Sequence, residues 1–309
     1  MFSTPRNRLR LRLLGPMRVP GSFLLIPLLL GAFHGGGFAA DVAGPVHGLW
    51  VWKTPTVLAA TGATEALRDF CQSQGINEVY VSFSGKHEAS EEREVARLIG
   101  LLHRSHIRVE ALISSTEADE PGKYRDKLLD KVRAIIQFNE HARERFDGIH
   151  LDIEPQQRPE NKGAGNLRFL PGLVDAYQAV QAVAEPAHLM VNADIQNKLL
   201  KGDLRERRML LTSLPRFTLM LYELSSPSDG ETAAQKAEKL RSASQKFLDM
   251  AYDGLNEVSV GKMVIGLRTP DYEELLPAML KSLDGAHGAN PHYLGWARHS
   301  YNDYLKAAR

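Results

Sequence analysis

Residues 147 to 154 read Asp147-Gly148-Ile149-His150-Leu151-Asp152-Ile153-Glu154. Apolar and titratable residues alternate here with the two-residue period of a β-strand. His150, Asp152 and Glu154 therefore share one face, with Leu151 and Ile153 on the other. Burying one carboxylate beside another is costly unless partners satisfy them, and a shared proton lowers that cost. Asp152 beside Glu154 is expected to raise the pKa of one of the pair, giving an acid still protonated near neutral pH. Glu154 stands last on the strand and is the natural proton donor. The plainer alternative is a charged strand end that pairs with a helix N-terminus or with Arg268.

Other polar and aromatic residues close apolar runs elsewhere: Trp50 and Trp52, Ser82 and Ser84, Ser114 and Ser115, Asn192 and Asp194, Tyr222 and Glu223, Arg268, and Trp296. Elements far apart in the chain must gather them. Strand-like runs are expected at Val46–Trp52, Glu78–Phe83, Ile107–Ile113, Gly148–Ile153, Leu189–Ile195, Phe217–Tyr222, Lys262–Leu267 and Tyr293–Trp296. Between them lie segments with the three-to-four residue apolar spacing of helices, such as Val174, Tyr177, Val180 and Val183. A last helix is expected over Tyr301–Ala308. Regular alternation predicts a parallel sheet, because each crossover needs a helix to return the chain. Eight units over residues 41–309 match a single (β/α)8 barrel, whose chemistry collects at the C-terminal strand ends. An open doubly wound sheet is the alternative, but no Gly-rich dinucleotide fingerprint follows the first strand. The connections after strands four and six read as short.

The strand-four segment resembles the signature of glycoside hydrolase family 18, the chitinases and endo-β-N-acetylglucosaminidases, whose pattern is Asp-Gly-x-Asp-x-Asp-x-Glu. The spacing matches from Asp147 to Glu154, with His150 in place of the first inward-facing Asp. Met220-Leu221-Tyr222-Glu223 resembles the family's Met-x-Tyr-Asp at strand six, and Trp296 matches its strand-eight Trp, the floor of a sugar subsite.

This resemblance implies a barrel and a substrate-assisted retaining mechanism. Glu154 protonates the glycosidic oxygen, the substrate's own acetamido oxygen attacks the anomeric carbon, and Asp152 orients that group with help from Tyr222. Two carboxylates astride the bond are not required in this family. Trp52, Asn192, Asp194, Glu223 and Trp296 are the expected substrate contacts, with Asp147 and His150 in support. The implied partner is a glycan containing N-acetylglucosamine, with no cofactor. His150 departs from the pattern: it is able to hydrogen-bond Asp152, but once protonated it lowers that group's pKa.

The overall charge of +1 depends on five arginines in the first forty residues, which hold no Asp or Glu. Without them the body carries about −4, so nucleic acid loses its simplest electrostatic attraction. Those arginines, the apolar run Ser22–Phe33 and the small residues Gly35–Ala40 have the three-part pattern of a secretory signal peptide. Residues 1–40 are therefore expected to be a cleaved signal, or else an anchor. The run is short of the ~20 residues a membrane span needs, so no stable span is expected after cleavage. A secreted or periplasmic protein follows, and the lone Cys71 forbids an intrachain disulfide.

Two rival functions share these residues. A carbohydrate-binding protein can use the same barrel without turnover. A metal-dependent hydrolase would use His150, Asp152 and Glu154 as ligands, with His188 and Asp194 as additions, although no HExxH-type spacing supports it. Of the tryptophans, Trp296 is the foremost candidate for stacking on a sugar, while at least one fills the core.

Overall fold

A computed structural model describes residues 44–86, 88–162, 167–221, 230–256, 258, 261–268 and 276–307. The expectations for residues 1–40, and for Tyr222 and Glu223, lie outside the described residues. The strands are β1 (Val46–Val51), β2 (Glu78–Ser82), β3 (Arg108–Ser115), β4 (Gly148–Ile153), β5 (Met190–Gln196), β6 (Arg216–Leu221), β7 (Lys262–Arg268) and β8 (Tyr293–His299). They form a closed barrel in chain order. Every neighbouring pair is parallel, and β8 closes on β1 with Val46 opposite Gly295.

The helices are α1 (Thr54–Leu58), α2 (Ala63–Ser73), α3 (Ala89–Arg104), α4 (Lys123–His141), α5 (Leu170–Ala184), α6 (Leu204–Leu211), α7 (Ala233–Leu255), α8 (Leu276–His287) and α9 (Tyr301–Ala307). The amphipathic spacing finds all of them except α1, a single short turn. Where one helix over Leu199–Thr212 is expected, a 3-10 turn at Asn197–Lys201 precedes α6. Asp203 starts α6 afresh: its carboxylate accepts from the Glu206 amide in a reciprocal capping box. None of the described helices is long and apolar enough to cross a membrane.

Strand residues facing outward, among them Leu49, Val79, Val109, Ile149, Val191, Phe217 and Ile265, pack with the helices into the main apolar core. Helix cover is why the outward face of the strands is apolar. The barrel interior holds a smaller apolar group: Val46, Trp50, Tyr80, Leu112, Val264 and Ala297. Glycine makes room for its two large aromatics. A Cβ on Gly48 would lie 2.5 Å from the Tyr80 hydroxyl, and one on Gly266 would lie 3.0 Å from the Trp50 ring.

Strand eight continues three residues past its expected end at Trp296, which changes what it delivers to the mouth. Ala297 faces the interior, so Trp296 faces the helices. The connection from β4 to α5 also runs longer than expected, from Glu154 to Phe169, and contains 3-10 turns at Pro155–Gln157 and Pro159–Asn161.

Candidate active site

The inward-facing residues of β2, β3, β4, β5 and β6 build a polar column up the barrel axis. At its base Arg216 grips Glu78 with both guanidinium arms, one of them 3.0 Å from Oε2. Arg108 lies 3.6 Å from the same carboxylate, and Glu110 lies 3.7 Å from Arg216. Asn192 donates to Glu110 Oε1 at 2.6 Å. Above these, His150 joins two carboxylates, with Nδ1 3.2 Å from Glu110 and Nε2 2.8 Å from Asp194. Trp50 donates to the other Asp194 oxygen at 3.0 Å, and Tyr80 stacks on the His150 ring at 3.8 Å.

Charges alternate along this column. Burial alone would discharge His150, but Asp194 and Glu110 outweigh it and push its pKa up to about 9. Both ring nitrogens then donate, one to each carboxylate. Burial likewise opposes the Glu110 anion, yet Arg216 and His150 hold its pKa at about 2. A buried ionic network is tolerable only when its charges are compensated, and here cations and anions succeed one another.

Asp152 is the exception. It is 8% exposed, and its Oδ1 is buried with no hydrogen-bond partner. Burial, then the neighbouring Asp194 and Glu154 charges, push its pKa well above the usual carboxylate range, against a smaller opposite pull from His150. The acid held protonated is therefore Asp152, and the main cause is desolvation. His150 does not hydrogen-bond it; the ring is turned down toward Glu110 and across to Asp194.

Glu154 follows at the rim, half-buried. Its backbone N–H donates to Ser115 at 2.8 Å, extending the β3–β4 ladder by one residue. The side-chain amides of Gln156 and Gln157 donate to its two carboxylate oxygens. Arg158 ties this segment to the loop after β3 through Asp119, at 2.7 Å, and Glu120. A neutral carboxyl below and a tethered carboxyl group at the rim can together position a polar substrate group and exchange a proton with it.

The other expected site residues divide. Trp52 stands at the end of β1 against the interior cluster. Its indole N–H donates to His299 Nε2 at 3.1 Å. Asn192 and Asp194, expected to touch substrate, are instead 0% and 2% exposed and bonded into the column, Asn192 through its amide nitrogen and Asp194 through both oxygens. Asp147 sits at the opposite end of β4, where it accepts from the Val109 amide at 2.7 Å and lies 3.0 Å from His103. That is structural support for the strand, far from the mouth. Trp296, expected as a sugar floor, instead lies on the helix side of the barrel, where it stacks on His47 at 4.1 Å and donates to Asp284 of α8 at 3.2 Å.

The metal reading meets three obstacles. Both His150 nitrogens are engaged by carboxylates, and His188 precedes β5 at the barrel's base. Among the described residues, no group of three or more His, Cys, Asp or Glu is disposed to hold a metal ion.

His299 is the mouth residue that an expected strand end at Trp296 leaves out, since β8 runs to His299.

Fold and site thus define a (β/α)8 barrel with an acidic strand-four end at its mouth. No family model matches the chain, and no curated protein matches it in sequence. Among solved structures it is similar to an exo-β-1,4-mannosidase from Opitutaceae bacterium strain TAV5, at 13% identity and TM-score 0.57, over 84% of this chain. The alignment spans 53% of that enzyme. Matches at lower TM-score include a chitinase from Chromobacterium violaceum (0.49, 13% identity, 83% of this chain and 94% of that one). Another is the PgaB glycoside hydrolase domain from Bordetella bronchiseptica (0.48, 11% identity, 85% and 95%). At such identities the likeness concerns the fold, and the barrel expected from the sequence is the one found.

Proposed function

We propose that this protein is an exported glycoside hydrolase acting on glycans that contain N-acetylhexosamine, by a substrate-assisted retaining mechanism. One observation carries the reading: Asp152 and Glu154 stand two residues apart at the mouth end of β4, and the buried Asp152 has an unpartnered oxygen. Glu154, carrying a proton when substrate is bound, gives it to the glycosidic oxygen as general acid and then, as the carboxylate, takes one from water as general base. Asp152, buried and protonated, meets the 2-acetamido group and orients its oxygen toward the anomeric carbon. That contact supplies the hydrogen bond Asp152 lacks in the free protein, so binding relieves a desolvation cost. The export reading rests on the basic and apolar start of the chain.

The test is incubation with β-1,4-linked N-acetylglucosamine oligomers while product anomers are followed by NMR. Retention of configuration, lost in Glu154→Gln, is expected. Inverted product, or turnover unaffected by Glu154→Gln or Asp152→Asn, overturns the mechanism. Glycan binding with no turnover in the wild type would instead mark a carbohydrate-binding protein.

A further inference from the structure

With Trp296 facing the helices, β8 brings a different residue to the mouth. His299 closes the strand and meets Trp52 at the end of β1. The segment from His299 into α9 fastens Trp52 at three points. Asn302 accepts from the Trp52 backbone N–H at 2.8 Å and donates to the Trp52 carbonyl at 2.7 Å. His299 Nε2 accepts from the indole Nε1–H at 3.1 Å. Ordinary core packing does not require this arrangement, because Trp52 is only half-buried. One edge of the indole is pinned while its body rests on the interior aromatic cluster.

We propose that Trp52 is the stacking platform for a sugar ring at this mouth, and that His299 is the positioning residue that sets it. The proposal rests on the glycan reading above and adds the residue that fixes the sugar's plane. Sugar rings present apolar C–H faces, and a clamped indole offers a broad apolar surface at low entropic cost.

The clamp has a chemical condition. An indole nitrogen is only a donor, so His299 must present a lone pair at Nε2. Its proton then sits on Nδ1, which faces Asp303 Oδ2 at 3.5 Å. Protonating Nε2 would set two N–H donors against each other and release the indole. The charged groups acting on His299 are Asp303 of α9, Asp194 of β5 and Arg268 of β7, and the Trp50 ring lies 5.8 Å away. Burial outweighs the two carboxylates and holds the His299 pKa below its ordinary value, which keeps the acceptor available at neutral pH. Acidification should therefore loosen Trp52.

Two measurements test this. In the unliganded protein, the Trp52 indole N–H resonance, assigned by Trp52→Phe, should shift as pH falls below ~6.5. It should stay flat in His299→Gln, whose amide oxygen accepts at every pH. In calorimetry with a tetramer of N-acetylglucosamine, on a Glu154→Gln background so that the sugar survives, Trp52→Ala should weaken binding about 10-fold or more. The parent should bind more weakly at pH 5 than at pH 7.5, and His299→Gln should bind as the neutral parent does without that loss. A flat indole titration in the wild type, or a His299→Gln profile matching the parent, overturns the clamp. Unchanged affinity in Trp52→Ala overturns the platform. If no oligomer binds the parent at any pH, the glycan reading falls and the platform with it, while the indole titration still decides the clamp.

Discussion

The lower and upper halves of the barrel interior use the same residue types to opposite ends. Below, Glu78, Arg216, Glu110, His150 and Asp194 are joined by close contacts, cation next to anion. Above, Asp152 keeps a buried oxygen without a partner, and Glu154 is held at the rim by two amides. A network of paired charges contributes order and tolerates little change. A buried carboxyl at the mouth without a cation beside it has an unmet hydrogen bond where a ligand can satisfy it. The difference separates residues that keep the barrel standing from residues available for chemistry, although all of them are acidic or basic and lie inside the same eight strands.

The largest expected effect belongs to the upper half. Glu154→Gln should lower turnover by ~10²–10⁴-fold while leaving the unfolding midpoint almost unchanged, since only a rim carboxylate is neutralised. A matching loss of stability would erase the division between the halves. In the lower half, Arg216→Met leaves Glu78 and Glu110 without their main cation. Breaking a buried pair in this way should cost ~3–5 kcal/mol in denaturant unfolding. A change below ~1 kcal/mol would mean that the column is not what stabilises the base.

Asp194 couples the two halves. Removing its charge in Asp194→Asn should lower the pKa of Asp152, because Asp194 is the leading charged group that raises it. The alkaline limb of the activity profile should move to lower pH, and an unmoved limb would uncouple them.

The column also predicts a stability plateau with two flanks. His150 has its pKa raised from 6.5 to about 9, so its contribution is complete below about 6.5 and is lost as pH rises through 9. Glu110 has its pKa lowered from 4.5 to about 2, so its contribution is complete above about 4.5 and is lost as pH falls toward 2. His150→Gln should flatten the alkaline flank and Glu110→Gln the acid one, as read from denaturant midpoints across pH.

The smallest effect sharpens the contrast from outside the barrel. Trp296→Phe removes one hydrogen bond to Asp284 and should cost ~1 kcal/mol of stability. It should leave glycan affinity unchanged, unlike Trp52→Ala.

Much of this organisation is local enough to read from the chain. The two-residue alternation from Asp147 to Glu154 places His150, Asp152 and Glu154 on one face; His150 and Asp152 are buried inside the barrel, and Glu154 follows at the rim. The regular exchange of strand and helix spacing implied the barrel, because parallel strands need helical returns. The boundary of strand eight was a weaker inference. Trp296 looked like a terminal aromatic, and nothing local announced that Ala297, Arg298 and His299 continue the strand. One strand position moved a sugar-floor candidate to the helix side and left His299 at the mouth.

What the amino-acid order decided alone is the set of elements and the parity of each strand, since both follow from periodicities of a few residues. What only the tertiary structure decided is partnership. Whether Asp194 touches substrate or His150, whether His150 serves Asp152 or Glu110, and which tryptophan reaches the mouth all depend on how segments far apart in the chain meet, up to 250 residues for Trp52 and Asn302. A hydrogen bond acts over about 3 Å, so a one-residue shift between two strands exchanges one partner for another while each strand's own pattern stays the same.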